Sequence, residues 1–216
     1  FLTALGSTLY FTANDGTKGR ELWKSDGTMA GTVRVKDIRS GASSSDPENL
    51  TVVGSTLYFT ATDGVGGREL WKSDGTDAGT VLVADLRPGA NDSSPSSLTA
   101  VGSALFFVAN DGVHGATLYQ TDGTSAGTVR LTDAVGIQGM MAVGSNLFFW
   151  SDAGSTGWEP WKSDGTPGGT VLVKDIKPGS GYSFPSLWLG HFAKDWRLAV
   201  GTTVYFAADD GTHGAE

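Results

Sequence analysis

Three observations in the sequence predict an all-β fold, a β-propeller of four-stranded blades. One phrase, Glu-Leu-Trp-Lys-Ser-Asp-Gly-Thr-x-x-Gly-Thr, stands at Glu21–Thr32 and Glu69–Thr80, is altered at Thr117–Thr128, and returns at Glu159–Thr170. Its first Asp falls at Asp26, Asp74, Asp122 and Asp164, steps of 48, 48 and 42 residues, and a period of about 40–50 residues is that of a propeller blade. The segments between the Gly-rich turns also carry apolar residues on both faces, with Leu22 opposed to Trp23 and Leu82 opposed to Val81 and Val83. A strand apolar on both faces needs cover on both. Radially stacked sheets give that cover, whereas a two-sheet sandwich leaves each strand one polar face.

Each unit reads as four strands. In the first unit these are Leu2–Leu5, ended by Gly6-Ser7; Thr8–Ala13, rich in β-formers; Arg20–Ser25; and Thr32–Ile38. The turn Asn14-Asp15-Gly16 supplies the positive φ that a tight hairpin demands. A polar loop, Arg39–Glu48, leads to the next first strand at Asn49–Val53. No segment sustains a 3.6-residue apolar period with caps, which disfavours helix. The repeats fall at about 1–48, 49–96, 97–138 and 139–186, with an incomplete one at 187–216. The third loses its Pro-Gly-Ser loop and has Gly136-Ile137-Gln138-Gly139-Met140-Met141 instead. The fourth has Pro160 where the others have Leu, which points to an edge or distorted strand. Both ends contribute a unit's first two strands, and Glu216 matches Glu21. The expectation is 18 strands in a fragment of a longer repeat protein, whose ring has five blades or more.

Composition bounds the function. The chain has 216 residues, 32 of them Gly, no Cys and a net charge of −8. An acidic balance argues against nucleic acid and against anionic membrane surfaces. Without Cys there is no disulfide framework and no thiolate metal site. No apolar run approaches the roughly 20 residues of a membrane span. Catalytic signatures such as His-Glu-x-x-His, Gly-x-Ser-x-Gly or a Walker A loop are missing.

The phrase Glu-Leu-Trp-x-x-Asp-Gly-Thr-x-x-Gly-Thr, followed by Val-Leu-Val-Lys-Asp-Ile, resembles the bacterial ELWxxDGT repeat, also called hyalin-like. The likeness is specific at Glu21–Ile38, Glu69–Leu86 and Glu159–Ile176. It implies a module of a large secreted or cell-surface protein, with no enzymatic activity attached to it.

Several residues are singled out within this frame. Glu21/Lys24, Glu69/Lys72 and Glu159/Lys162 recur together and change together, to Thr117/Gln120, which reads as an ion pair between adjacent blades. Trp23, Trp71, Trp161 and Tyr119 are expected between blades. The turn residues Asp26, Asp74, Asp122 and Asp164 read as caps on their own turns. The recurring Asp37, Asp85, Asp133 and Asp175 read as structural. Calcium is considered at the turn residues Asp26, Asp74, Asp122 and Asp164, where one carboxylate per loop is too few, and at the doubled Asp209-Asp210; otherwise no cofactor is expected. His114 and His213 occupy matching turns and His191 stands apart, with no metal-ligand spacing among them. The least repetitive stretch, around Tyr182, Phe184, Trp188, His191, Phe192 and Trp196, reads either as a ligand- or partner-binding insertion or as an aromatic plug. The resulting expectation is a non-enzymatic module for adhesion, scaffolding or protein interaction, located outside the cell. Its partners would be protein or glycan at a surface and the neighbouring repeats or domains of a longer chain. The alternative is a multivalent lectin with sugar sites on the repeated turns.

Overall fold

The structure, a computed structural model, describes residues 2–179, 181–183 and 197–215. These residues form 18 strands and no helix. Strands β1(Leu2–Leu5), β2(Thr8–Asn14), β3(Arg20–Ser25) and β4(Val33–Arg34) make the first antiparallel sheet in simple up-and-down order. The second comprises β5(Glu48–Val53), β6(Thr56–Thr62), β7(Arg68–Ser73) and β8(Val81–Ala84). The third comprises β9(Ser96–Val101), β10(Ala104–Asn110), β11(Ala116–Thr121) and β12(Val129–Arg130). The fourth comprises β13(Val135–Val143), β14(Asn146–Asp152), β15(Trp158–Ser163) and β16(Val171–Leu172). A last pair, β17(Arg197–Val200) and β18(Thr203–Phe206), stands as its own two-stranded sheet. The first strands β1, β5, β9 and β13 touch one another in succession. These sheets are propeller blades, and the expected strand count holds among the described residues.

The core is divided into seams between blades. Tyr10 and Leu22 of the first blade, with Val35 and Ile38 beyond its last strand, pack against Leu57, Phe59 and Trp71 of the second. Tyr58, Leu70 and Val83 pack against Leu105, Phe107 and Tyr119 of the third. Phe106, Val108 and Leu118 meet Ile137, Leu147, Phe149 and Trp161 of the fourth. Alternation along each strand therefore sends one apolar set forward and the other back. Trp71, Tyr119 and Trp161 lie between blades as expected. Trp23 points to the open side of the first blade and is only half-buried.

Two sequence expectations need correction. Pro160 does not mark an edge. It sits in the interior strand β15, in unbroken register with β14, and its carbonyl accepts from Val173 N–H at 2.9 Å. A residue's N–H and C=O face the same neighbour, so the missing donor faces the short outer strand, past the pairs that Val171 and Leu172 make. Gly136–Met141 is not a substitute loop but the body of β13, which begins four residues before the expected boundary of 139. Its irregular register with β14 takes up the change. Comparable bulges in β5 and β9 put Asn49 and Ser97 at positive φ, 56° and 54°.

The seams are locked at the Asp-Gly-Thr turns. Gly75 holds φ at 88°, and a Cβ there would lie 2.2 Å from Tyr10 Oη of the preceding blade. Gly123 stands in the same relation to Tyr58 Oη, at 2.4 Å. Gly27, at φ 91°, meets nothing within 4 Å. Gly27→Ala is therefore expected to cost about 1 kcal/mol, from the positive φ alone, measured by urea denaturation at dilute concentration. Gly75→Ala adds displacement of the Tyr10 ring and should cost about 3 kcal/mol; equal losses would contradict the socket. Trp71→Ala should cost about 3–5 kcal/mol and Trp23→Ala clearly less, on the same assay.

Candidate functional site

The recurring Glu is buried in the blade and grips the connector that follows it. Glu69 is nearly inaccessible. It accepts hydrogen bonds from Ser93 N–H at 2.8 Å, from Leu86 N–H at 3.2 Å, and from the Ser93 hydroxyl. Glu21 does the same with Ser45 N–H at 3.1 Å, the Ser45 hydroxyl at 2.5 Å and Ile38 N–H at 3.0 Å. Glu159 accepts from Ile176 N–H at 2.9 Å. The expected ion pair with Lys is not formed. Lys24 instead donates to Gly75 O of the next blade, at 2.8 Å. For Glu21 and Glu69 that partner is a Ser 24 residues on, Ser45 and Ser93; in the fourth blade the matching Ser183 donates its hydroxyl to Trp158 O at 3.0 Å. That spacing was present in the sequence and would have revealed the clasp. The third blade has a shorter connector without such a Ser, and there Thr117 takes over as a donor, to Thr132 O at 2.6 Å and Ala134 O at 3.0 Å.

The rest of the repeated phrase is engaged within its own turn, as expected for Asp. Asp74 Oδ1 accepts from Thr76 N–H at 2.8 Å and from the Thr76 hydroxyl at 2.7 Å. Hydrogen bonds from Thr28, Thr76, Thr124 and Thr166 hold the carboxyls of Asp26, Asp74, Asp122 and Asp164 below their ordinary value. The second Gly makes room for this carboxylate: a Cβ at Gly79 would lie 2.0 Å from Asp74 Oδ1. The final Thr closes the turn, Thr80 Oγ1 lying 2.7 Å from Ser73 Oγ.

The remaining candidates are unevenly placed. Tyr182 is exposed, while Phe184, Trp188, His191, Phe192 and Trp196 lie outside the described residues, as does Glu216. Asp209 and Asp210 do not converge on an open cation site. Lys177 Nζ lies 3.0 Å from Asp209 Oδ2, and His213 Nδ1 lies 2.7 Å from Asp210 Oδ2. Among the described residues no group of three or more His, Asp or Glu could hold a metal. His114 caps its turn through Asp111, which also accepts from Tyr119 Oη at 3.0 Å. Burial opposes the Asp111 charge, but these donors outweigh it and hold the carboxyl well below the usual range. Burial, then the same hydrogen bond, pushes the Tyr119 phenol up.

A groove of about 600 Å³ opens between the third and fourth blades. The short connector Leu131–Val135 forms one wall, and Asp152, Trp161, Pro167 and Thr170 contribute to the other. Its origin is the six-residue deficit of the third repeat, which was legible as a step of 42 rather than 48. It presents an indole, a proline ring and two carboxylates, Asp133 and Asp152, of which Asp133 is paired with Arg130. It holds no Ser–His or Cys–His pair among its lining residues.

The Glu clasp makes two measurable demands. Glu69→Ala orphans three donors, two buried on Ser93 and one half-buried on Leu86, and should cost about 3 kcal/mol in denaturant unfolding; a loss below about 1 kcal/mol would mean the clasp is idle. Burial pushes the Glu21, Glu69 and Glu159 carboxyls above the ordinary 4.5 despite their donors. Because the folded value is the higher one, this contribution is fully present below 4.5 and is lost as pH rises through the folded value. Glu69→Gln removes one such titration. Its urea midpoint should therefore fall less than that of the unaltered chain over the pH window beginning at 4.5.

No protein-family description and no curated relative match the sequence. Solved structures do match the fold. A puromycin hydrolase aligns at TM-score 0.54 and 14% identity, covering 83% of this chain and 28% of its own. A puromycin-hydrolysing peptidase of Mycobacterium tuberculosis aligns at 0.54 and 14%, covering 97% of this chain and 34% of its own. A prolyl endopeptidase aligns at 0.50 and 12%, covering 77% and 27%. The chain thus spans about a third or less of the length of these structures. At such identity the likeness establishes the β-propeller fold. It also overturns the expectation of an adhesion or scaffolding module or a lectin, since the propellers this chain is similar to belong to peptidases.

Proposed function

We propose that this chain is a propeller segment of a longer hydrolytic protein of the peptidase kind. Its blades form a rigid wall beside a catalytic domain and contribute no catalytic group themselves. The observation that carries this reading is the blade arrangement, which follows two puromycin-hydrolysing enzymes over 83% and 97% of this chain while filling only 28% and 34% of theirs. The local chemistry supports it. The polar side chains of the repeated phrase are spent on clasps and turns, which fits a wall that carries no reaction centre of its own. The groove between the third and fourth blades is lined by Trp161, Pro167 and the carboxylates of Asp133 and Asp152, which suits an extended peptide with a basic side chain. Its partners in this reading are the neighbouring domains of the same polypeptide and a peptide substrate. An extracellular location is proposed on the resemblance to the ELWxxDGT repeat.

The test is made on the polypeptide encoded by the complete gene and on residues 1–216 alone. The complete protein should hydrolyse aminoacyl and peptidyl amides and be labelled by a fluorophosphonate probe, with the label outside residues 1–216. The isolated chain should do neither. Turnover by residues 1–216 alone, or an inert complete protein, overturns the reading.

A further inference from the structure

Two of the three seams between the full blades cover the aromatic ring of their third strand, and the last does not. The difference traces to one side chain. Ile38 and Leu86 donate their N–H groups to Glu21 and Glu69, each 17 residues before them. Ala134 stands 17 residues after Thr117 and accepts from its hydroxyl, so the three hold equivalent places in their connectors. Ile38 is buried in the same cluster as Trp71, which is 8% exposed. Leu86 packs on the cluster that holds Tyr119, which is 4% exposed. In the third seam a methyl group replaces these larger aliphatic chains. Trp161 is left half-buried, and it lines the groove of about 600 Å³ together with Ala134.

The lining decides what can enter. Trp161, Pro167 and Ala134 offer apolar surface to a hydrocarbon stem. The same lining carries two carboxylates, and their states differ. Asp133 is paired with Arg130. Asp152 accepts Gly154 N–H at 2.7 Å through Oδ1 and makes no ion pair among the described residues. An unpaired carboxylate beside apolar surface complements a long side chain with a cationic end, which lays its methylenes on that surface and keeps its charge in water. The indole face adds to this attraction, because its ring quadrupole favours a cation.

We propose that this groove is a subsite for one lysine or arginine side chain of a bound peptide. Ala134 is the residue that admits the stem, and Asp152 is the residue that selects the charge. The proposal rests on the reading of this chain as part of a peptide-hydrolysing protein. The first two seams lack such a subsite because Ile38 and Leu86 occupy the place that Ala134 leaves free.

The test follows the Trp161 indole N–H resonance of the 216-residue chain by NMR, assigned with Trp161→Phe. The probes are the methylamides of N-acetyl-lysine, N-acetyl-arginine and N-acetyl-norleucine, the last keeping the stem without the charge. The two cationic probes should shift the resonance saturably at millimolar concentration, and norleucine should bind about fivefold more weakly, the worth of one accessible ion pair. Asp152→Asn keeps an acceptor for Gly154 and should bring lysine down to the norleucine level. Ala134→Leu should abolish the shift with every probe while its urea midpoint does not fall, since the added carbons enter open space. Ala134→Val, a smaller step, should weaken binding without abolishing it, which keeps the test independent of how leucine is tolerated. An unaltered chain with no saturable shift overturns the proposal. So does norleucine binding as tightly as lysine, or an Ala134→Leu chain that still binds. The readout is binding without turnover, so the two readings fail separately. A complete protein that is inert while lysine still seats loses the peptidase reading, and an active one whose groove binds no probe loses the subsite.

Discussion

No blade of this chain can bury its own apolar surface. Leu22 and Trp23, or Leu70 and Trp71, leave a four-stranded sheet on opposite sides, so each sheet needs a neighbour on both. The other features of the structure answer to that demand. The cores are seams rather than centres. The rings of Tyr10 and Tyr58 reach across them into glycine turns. The Lys24 ammonium crosses as well, to a carbonyl of the next blade. The connector between blades must also be held still, because it sets the angle at which one sheet meets the next. The buried Glu does this, receiving the connector's N–H groups and its Ser hydroxyl.

Much of this was legible in the sequence, and the division between what was and was not has a physical basis. Strands and turns are local: alternation, Asp-Gly pairs and a fixed period are visible within a dozen residues. The capping role of the turn Asp could be read for the same reason, since donor and acceptor are two residues apart. The Glu clasp is not local. Its partner lies 24 residues away in an irregular loop, while a Lys three residues off offered an easier but mistaken partner. Pro160 misled because a proline's cost depends on which neighbour its nitrogen faces, and the sequence of one strand does not show that. Gly136–Met141 misled because the residues after a shortened connector were read as loop, when the following strand had grown to absorb them. The groove beside Trp161 was implied by the 42-residue step, but a missing loop predicts a gap without predicting its walls.

The functional expectation failed at a different link. Adhesion and sugar binding came from the repeat's resemblance and from the number of polar turn residues, and turns of this kind are common binding surfaces. In the structure those residues satisfy one another. A carboxylate that already accepts from a backbone N–H and a hydroxyl, with the next glycine cleared to admit it, has little left for a ligand. The irregular positions, where the third blade departs from its neighbours, are where concave surface appears.

That irregularity bears on how the chain finds its order. In a strictly periodic sequence the second blade could stack on the third or the fourth at nearly equal energy, and a partly folded chain could exchange one neighbour for another. The third blade breaks this degeneracy. Its Thr117 donates to the carbonyls of a shorter connector, and its Phe106 and Gln120 face the turn at Gly165, whereas the first two units present Tyr and Lys to the turns that follow them. A single aberrant unit acts as a fiducial mark: it tells otherwise interchangeable modules which position each one holds.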